Sequence, residues 1–182
     1  METKFLLNKT SIQIIENKID LFRNFIPQNH ISRIFIIVDS NSKKYCLKDF
    51  ISINPSIANS EVIEINSGEQ SKSIKVLNQI CSQLIDLQID RNSLIINLGG
   101  GVVSDVGGFV ASVIKRGIIF INIPTTLMAQ IDAAIGGKVA LNVNKYKNQM
   151  GLFSDPDKVI IYPDFLKTLP PEEILSAQAE VF

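Results

Sequence analysis

The apolar run at residues 93–98, followed by Gly99-Gly100-Gly101, is the feature that most constrains how this chain folds. Its sequence, Ser-Leu-Ile-Ile-Asn-Leu, is typical of a buried strand. Val102-Val103-Ser104-Asp105 comes next, and residues 106–114 have the pattern of a helix despite Gly107-Gly108. A strand, a glycine turn and a helix start together form a place where backbone N–H groups and the helix dipole hold phosphate.

The glycine turn also has a second, purely structural interpretation. Its spacing does not match the GxGxxG fingerprint of dinucleotide-binding proteins. Glycines at a strand end also allow a helix and a strand to pack closely. Other segments of the chain are needed to decide between a phosphate-binding turn and a packing turn.

Apolar runs that alternate with helical periodicities predict the fold class. We expect strands at residues 4–7, 33–39, 61–65, 93–98, 118–123 and 158–161, and helices at residues 12–25, 44–50, 73–87 and 106–114. This alternation requires βαβ crossovers, so we predict an α/β fold: a Rossmann-like, doubly wound, mostly parallel sheet with helices on both faces. Ligands of such sheets bind beyond the carboxyl ends of the strands.

Composition and charge exclude several classes of partner. Of the 182 residues, 46% are hydrophobic and 20% charged, and the net charge is zero. We therefore expect no nucleic acid partner, and no membrane partner, because no apolar stretch approaches the roughly 20 residues that span a bilayer. Cys46 and Cys81 lie far apart, which suits a reduced, cytoplasmic protein. A single histidine, His30, leaves no self-contained multi-histidine metal site.

The end of the chain lies inside a predicted helix. Pro170-Pro171-Glu172-Glu173 carries the proline and early acids that start a helix, and no cap or glycine follows before Phe182. We therefore expect a piece of a longer polypeptide. Its domains are an α/β domain at residues 1–169 and the first helix of a truncated second domain at residues 170–182.

Polar residues follow several of the predicted strands. Thr125-Thr126 comes after a strand, and the loop 67–72 (Ser-Gly-Glu-Gln-Ser-Lys) leads from a strand into a helix. Each of these, taken alone, suits an ordinary helix N-cap. Downstream, Asp132 precedes Lys138 across a Gly-Gly turn. We predict a cationic, amide-rich site for a phosphorylated small molecule, formed by Asp132 and Lys138 together with Arg116, Lys147 and Asn148.

Taken in order, these segments resemble the 3-dehydroquinate synthase family and, more widely, the sugar-phosphate cyclases. The match extends from about residue 33 to the last residue with consistent spacing. The matching positions are 99–105, Phe109, Arg116-Gly117, 124–127, Asp132, 136–138, Lys147-Asn148, 166–170 and 179–181. The resemblance implies an NAD-dependent, zinc- or cobalt-assisted lyase of the shikimate pathway, which makes precursors of aromatic amino acids. Its reaction converts 3-deoxy-D-arabino-heptulosonate 7-phosphate to 3-dehydroquinate and phosphate.

The resemblance also implies a role for each matching position. The residues that would hold NAD are Asp39, Asn41, Ser67, Gly68, Glu69, Gln70, Ser71, Lys72, Gly100, Gly101, Val102, Val103, Ser104, Asp105, Thr125, Thr126, Lys138, Lys147, Phe165, Leu166, Lys167 and Thr168. Asp132, Lys138 and Asn148 would face the substrate or the nicotinamide. Arg116 would reach the substrate phosphate from the neighbouring subunit of a homodimer. Glu180 would be a metal ligand, although the histidines that complete such a site are absent from the sequence.

Three other interpretations remain open from the sequence. A related cyclase of secondary metabolism, acting on sedoheptulose 7-phosphate or glucose 6-phosphate, shares these motifs. A glycerol-dehydrogenase-like NAD enzyme shares the glycine turn and Thr125-Thr126, but not the phosphate-suited residues around Asp132. A non-catalytic nucleotide-binding module would bind the cofactor without turnover. Whichever enzyme the chain belongs to, we expect these 182 residues alone to be inactive.

Overall fold

The computed structural model describes residues 2–7, 9–16 and 20–178, and its centre is a seven-stranded sheet. The described strands are β1 (Glu2–Leu7), β2 (Thr10–Ile15), β3 (Ile34–Asp39), β4 (Glu61–Ile65), β5 (Leu94–Gly99), β6 (Ile119–Pro124), β7 (Lys138–Val143), β8 (Tyr146–Phe153) and β9 (Lys158–Ile161). The order in the sheet is β1-β2-β9-β6-β5-β3-β4, and β7 and β8 form a separate antiparallel hairpin. Within the sheet β1 and β2 pair antiparallel, while the other neighbours are parallel. The predicted doubly wound α/β class is confirmed.

Most of the described helices connect strands of the sheet, and the last of them follows the last strand, β9. The described helices are α1 (Phe22–Gln28), α2 (Ser40–Ser42), α3 (Lys48–Ile53), α4 (Ile74–Asp86), α5 (Gly101–Val113) and α6 (Pro171–Gln178), and a π-helical turn, Lys43–Leu47, joins α2 to α3. The predicted helix at 73–87 is confirmed. Its start follows from Ser73, whose hydroxyl accepts the backbone N–H of Val76 and so caps the first turn. In the described part of the chain, no helix combines the length and apolar character that crossing a membrane requires.

Side chains of β3 alternate between the two faces of the sheet. Phe35 and Ile37 pack into a cluster with buried residues of α4 and α5. Ile36 and Val38 pack on the opposite face, in a cluster that includes Phe50 of α3. All four β3 side chains are fully buried, and each contributes about 1.5–3 kcal/mol by leaving water. Burial on both faces explains why this central strand is continuously apolar.

The predicted helix at residues 12–25 is wrong. Thr10–Ile15 is strand β2, which lies between β1 and β9, and the helix begins only at Phe22. Thr10, Ile12, Ile14 and Ile15 are β-branched and favour strands, and their pairing with a strand almost 150 residues later overrides the helical spacing. Ile19, which supported the helix, lies outside the described residues.

Helix α5 starts earlier than predicted, at Gly101 rather than at residue 106. It lies unusually close to its neighbours because of Gly107 and Gly108. A Cβ at Gly107 would lie 1.9 Å from Asn97 Oδ1 on β5, and one at Gly108 would lie 2.6 Å from Val139 Cγ1 on β7. These two glycines therefore allow the sheet and the hairpin to enclose α5 from two sides.

Candidate functional site

The order of the strands reverses between β3 and β5. The chain passes from β3 outward to β4, then returns to the other side of β3 as β5 and continues through β6 to β9. The reversal point of a doubly wound sheet opens a crevice at the carboxyl ends of the strands, where ligands bind. The polar residues predicted from the sequence follow these strand ends.

A cleft of about 310 Å³ lies at this point, and we call it the strand-end cleft. It brings together six residues predicted to hold the cofactor. They are Asp39, Asn41, Gly100, Thr125, Thr126 and Thr168. It is lined as well by residues that were not predicted to hold the cofactor, namely Ser42, Tyr45, Cys46, Leu169, Pro170 and Glu173.

The N-terminus of α5 reaches this cleft at Gly100. Gly100 is the N-cap, with extended backbone at φ −79° and ψ −168°, and it has no side chain to cap the first turn. The first N–H groups of a helix lack intrahelical partners and carry the positive end of the dipole. A Cβ at Gly100 would lie 3.0 Å from Thr126 Cγ2, so glycine here serves a close approach between α5 and the segment after β6. This contact bears out the packing interpretation of the glycine turn, and the phosphate-binding interpretation stays a prediction.

Asp39 ends β3 and begins the next helix. Its Oδ1 accepts the backbone N–H of Ser42 at 2.7 Å, and the Ser42 hydroxyl accepts the N–H of Asp39 at 3.0 Å. The neighbouring Ser40 hydroxyl accepts the backbone N–H of Ser67 at 3.2 Å. The predicted loop 67–72 is thus tied to the end of β3, beside the strand-end cleft.

Cys46 is a cleft residue that the sequence analysis missed. It is buried, and its Sγ lies 3.9 Å from Thr168 Oγ1. Burial raises the pKa of this thiol above its usual range, and the hydrogen bond with Thr168 opposes the rise. The sequence held one usable signal, since a helix that begins after Asp39 places Ser42 and Cys46, four residues apart, on one face.

A second cleft, of about 400 Å³, lies between the hairpin and the start of α5, and we call it the hairpin cleft. It brings together Asp105, Asp132, Lys138 and Asn148. Asp132 lies in a π-helical turn, Ala129–Ala133, and the left-handed backbone of Gly136 and Gly137 (φ 86° and 66°) turns the chain from there into β7. The five residues between Asp132 and Lys138 therefore fold back so that both side chains line one cleft.

A buried ion pair stands beside this cleft. Lys72, 6% exposed, is paired with the carboxylate of Asp105, and its ammonium also donates to Asn148 Oδ1 at 2.5 Å. Burial raises the pKa of the Asp105 carboxyl group, although Lys72 pulls it the other way. The loop 67–72, α5 and β8 meet at these three side chains.

The remaining predicted residues lie elsewhere. Arg116 follows the far end of α5, in the 3₁₀ turn Ile114–Arg116 that comes after Val113. Lys147 lies on β8 beside Asn148, while Phe165, Leu166 and Lys167 belong to a 3₁₀ helix, Pro163–Thr168. Glu180 lies outside the described residues, among which no group of three or more His, Cys, Asp or Glu side chains could hold a metal ion.

The chain is similar to known proteins over most of its length. The family model for the N-terminal domain of 3-dehydroquinate synthase matches residues 62–176. A 3-dehydroquinate synthase of Parabacteroides distasonis is 41% identical over 159 residues, which cover 87% of this chain and 45% of that protein. The chain thus spans about half the length of the curated relatives it matches.

Solved structures show the same fold. The crystal structure of 2-deoxy-scyllo-inosose synthase with carbaglucose-6-phosphate, NAD⁺ and Co²⁺ has a TM-score of 0.85 at 22% identity, covering 99% of this chain and 51% of that one. The 2-epi-5-epi-valiolone synthase of Streptomyces hygroscopicus, with NAD⁺ and Zn²⁺ bound, has a TM-score of 0.77 at 25% identity, covering 97% and 50%.

Proposed function

The chain belongs to the 3-dehydroquinate synthase family, and we propose that it is the NAD-binding half of such an enzyme. In this proposal the complete enzyme is a cytoplasmic homodimer that converts 3-deoxy-D-arabino-heptulosonate 7-phosphate to 3-dehydroquinate and phosphate in the shikimate pathway. The observation that carries the proposal is the strand-end cleft, where the uncapped start of α5 meets Thr125, Thr126 and Asp39.

The donors and acceptors of the strand-end cleft fit NAD. Backbone N–H groups at the start of α5 suit the diphosphate, because they combine free donors with the positive end of the helix dipole. The hydroxyl groups of Thr125 and Thr126 add donors at the end of β6, and the Asp39 carboxylate accepts hydrogen bonds from hydroxyl groups, such as those of a ribose. When bound, NAD⁺ supplies a hydride acceptor that oxidises a substrate carbinol and later returns the hydride.

The hairpin cleft suits the phosphorylated substrate. Lys138 offers an ammonium group to anionic oxygens, Asn148 offers an amide, and Asp132 offers an acceptor for hydroxyl groups. Arg116 lies at the other end of α5 from this cleft. We therefore assign it to the cleft of a second copy of the chain, where it would bind the substrate phosphate.

The residues of this chain do not fit the proposed metal ion by themselves. Glu180 is one carboxylate, and His30 is the sole histidine of the sequence, whereas a catalytic zinc ion takes three protein ligands. The 182 residues therefore do not complete the site alone. We expect the isolated chain to bind NAD without turnover.

Calorimetric titration of NAD into the chain, with and without zinc, tests the proposal. We expect saturable binding of one NAD per chain, with the same affinity in both conditions, because the described residues of the cleft include no metal ligand set. A matched titration of the Thr126→Val variant reports on the cleft itself. Absence of binding to the wild-type chain overturns the proposal, whereas NAD-linked oxidation of glycerol by the chain would favour the dehydrogenase alternative.

A further inference from the structure

Lys72 is a buried lysine whose ammonium group is committed to two protein side chains. Its side chain is 7% exposed, and that of its ion-pair partner, Asp105, is 14% exposed. Asp105 also accepts the backbone N–H of Ala140 on β7. The positive charge of Lys72 is thus neutralised inside the protein, and the pair presents little charge to a ligand phosphate.

The second partner of Lys72 is the amide of Asn148. The Lys72 ammonium lies 2.5 Å from Asn148 Oδ1. An ammonium group has donors and no acceptor, so the amide atom that faces it must be the oxygen rather than the nitrogen. The Asn148 NH₂ group is therefore left as the donor on the side chain that lines the hairpin cleft.

The backbone of Asn148 is held as firmly as its side chain. Asn148 has a positive φ of 53°, a conformation that is uncommon for residues other than glycine and persists where its surroundings enforce it. Its N–H donates to Asn142 Oδ1 at 2.9 Å. Asn142 in turn donates its own N–H to Lys72 O and its side-chain amide to Glu69 Oε1, both at 2.8 Å.

We propose that Lys72 is a positioning residue that orients the Asn148 amide, so that its NH₂ group donates to an acceptor oxygen of the ligand in the hairpin cleft. Phosphate, carboxylate and carbonyl oxygens all fit such a donor. The identity of the ligand as a phosphorylated sugar acid rests on the proposed function. The orientation of the Asn148 amide does not depend on that function.

The order of the Asn148 side-chain amide tests the positioning role without any ligand. In the ¹⁵N-asparagine-labelled chain, we expect a rigid amide, with an order parameter near 0.85, that falls below about 0.6 in Lys72→Met. Lys72→Arg retains a donor and is expected to restore rigidity. Lys145→Met removes an exposed lysine of the same hairpin and is the control. The charge-balanced variant Lys72→Met/Asp105→Asn repeats the test if the unpaired carboxylate prevents folding.

Two titrations complete the test. Inorganic phosphate is the probe for an acceptor oxygen, and we expect it to shift the Asn148 side-chain N–H signals of the wild-type chain. NAD is the second titrant and is added to the wild-type chain, which we expect to bind it. A rigid Asn148 amide in Lys72→Met, or an absent phosphate shift, overturns the inference. If the wild-type chain fails to bind NAD, the proposed function is wrong. The order parameter of the Asn148 amide still decides whether Lys72 positions that amide.

Discussion

Asn97 on β5 and Asn122 on β6 lie opposite each other in the sheet and are joined by a buried hydrogen bond, Asn97 Nδ2 to Asn122 Oδ1, at 2.9 Å. Asn122 also donates to the carbonyl of Ala134 at 3.0 Å. These hydrogen bonds connect Asn97, which lies beneath α5, to the turn that follows Asp132. The two buried amides thus fix the position of that turn.

Replacement of Asn122 by alanine is expected to lower the free energy of unfolding by about 2–4 kcal/mol. The change removes two hydrogen bonds and leaves the Asn97 amide and the Ala134 carbonyl buried without partners, and each orphaned group costs about 1–3 kcal/mol. Urea unfolding measures the loss. The exposed Asn59→Ala is the control and should stay within about 0.5 kcal/mol of wild type. An equally small effect of Asn122→Ala would contradict the role of the amide chain.

Gly107→Ala is expected to be destabilising by about 3 kcal/mol, at the upper end of the range for overpacking. The reason is that the added Cβ would lie 1.9 Å from Asn97 Oδ1. The double variant Gly107→Ala/Asn97→Ala removes the obstructing amide, so its cost should be less than the sum of the two single costs. A double-mutant cycle from urea unfolding measures this coupling. Additive costs would show that the contact does not limit how α5 packs.

Thr126→Val is expected to weaken NAD binding about three- to tenfold, since it removes one hydroxyl from the strand-end cleft and a hydrogen bond contributes about 1 kcal/mol. Calorimetry measures the affinity. Ser112→Ala, which removes a hydroxyl bonded to Gly108 O near the far end of α5, is the matched control. Because Thr126 Oγ1 also accepts the N–H of Ala129, a melting curve must accompany the titration. Unchanged affinity in a folded Thr126→Val would place NAD elsewhere.

Cys46 is expected to react slowly with iodoacetamide at neutral pH. Burial raises its pKa, so less thiolate, the reactive form, is present at a given pH. The rate should keep rising with pH beyond the point at which an ordinary thiol is half ionised. Bound NAD should protect Cys46 because it lines the strand-end cleft, but not Cys81, which lies on α4. Mass spectrometry of the two cysteine peptides measures both effects, and equal protection of both would contradict the assignment.

The strands and helices that the sequence predicted correctly are those with a local cause. The continuous apolar runs at β3, β5 and β6 and the Ser73 cap of α4 lie within single segments. Since parallel strand ends converge, Asp39, Thr125 and Thr126 were also predicted to meet. Elements set by distant contacts escaped prediction. Strand β2 depends on its pairing with β9, and the contact of Lys72 with Asn148 joins residues 76 positions apart.

The hairpin β7–β8 was missed for a related reason. Its outer strand β8 is exposed along almost its whole length, so the sequence shows no alternation of apolar and polar residues there. The hairpin is instead held by Val139 against Gly108 of α5 and by Asn142 against the loop 67–72. Neither contact leaves a periodic signal in the sequence, although Asp132, Lys138 and Asn148 could still be selected by their chemistry.

The Asp105 carboxyl group gives a pH dependence of stability, because burial raises its pKa by more than the ion pair with Lys72 lowers it. Burial raises its pKa in the folded state, so the folded chain binds this proton more tightly than the unfolded chain does. The resulting stabilisation is present at acid pH and is lost as the pH rises through the folded pKa. The free energy of unfolding of the wild type, relative to Asp105→Asn, should therefore fall as the pH rises from about 3.9, the ordinary pKa of an aspartate carboxyl group, through the raised pKa of the folded state. Urea unfolding of both proteins across this range measures the difference; a rise instead would mean that the ion pair with Lys72 outweighs burial.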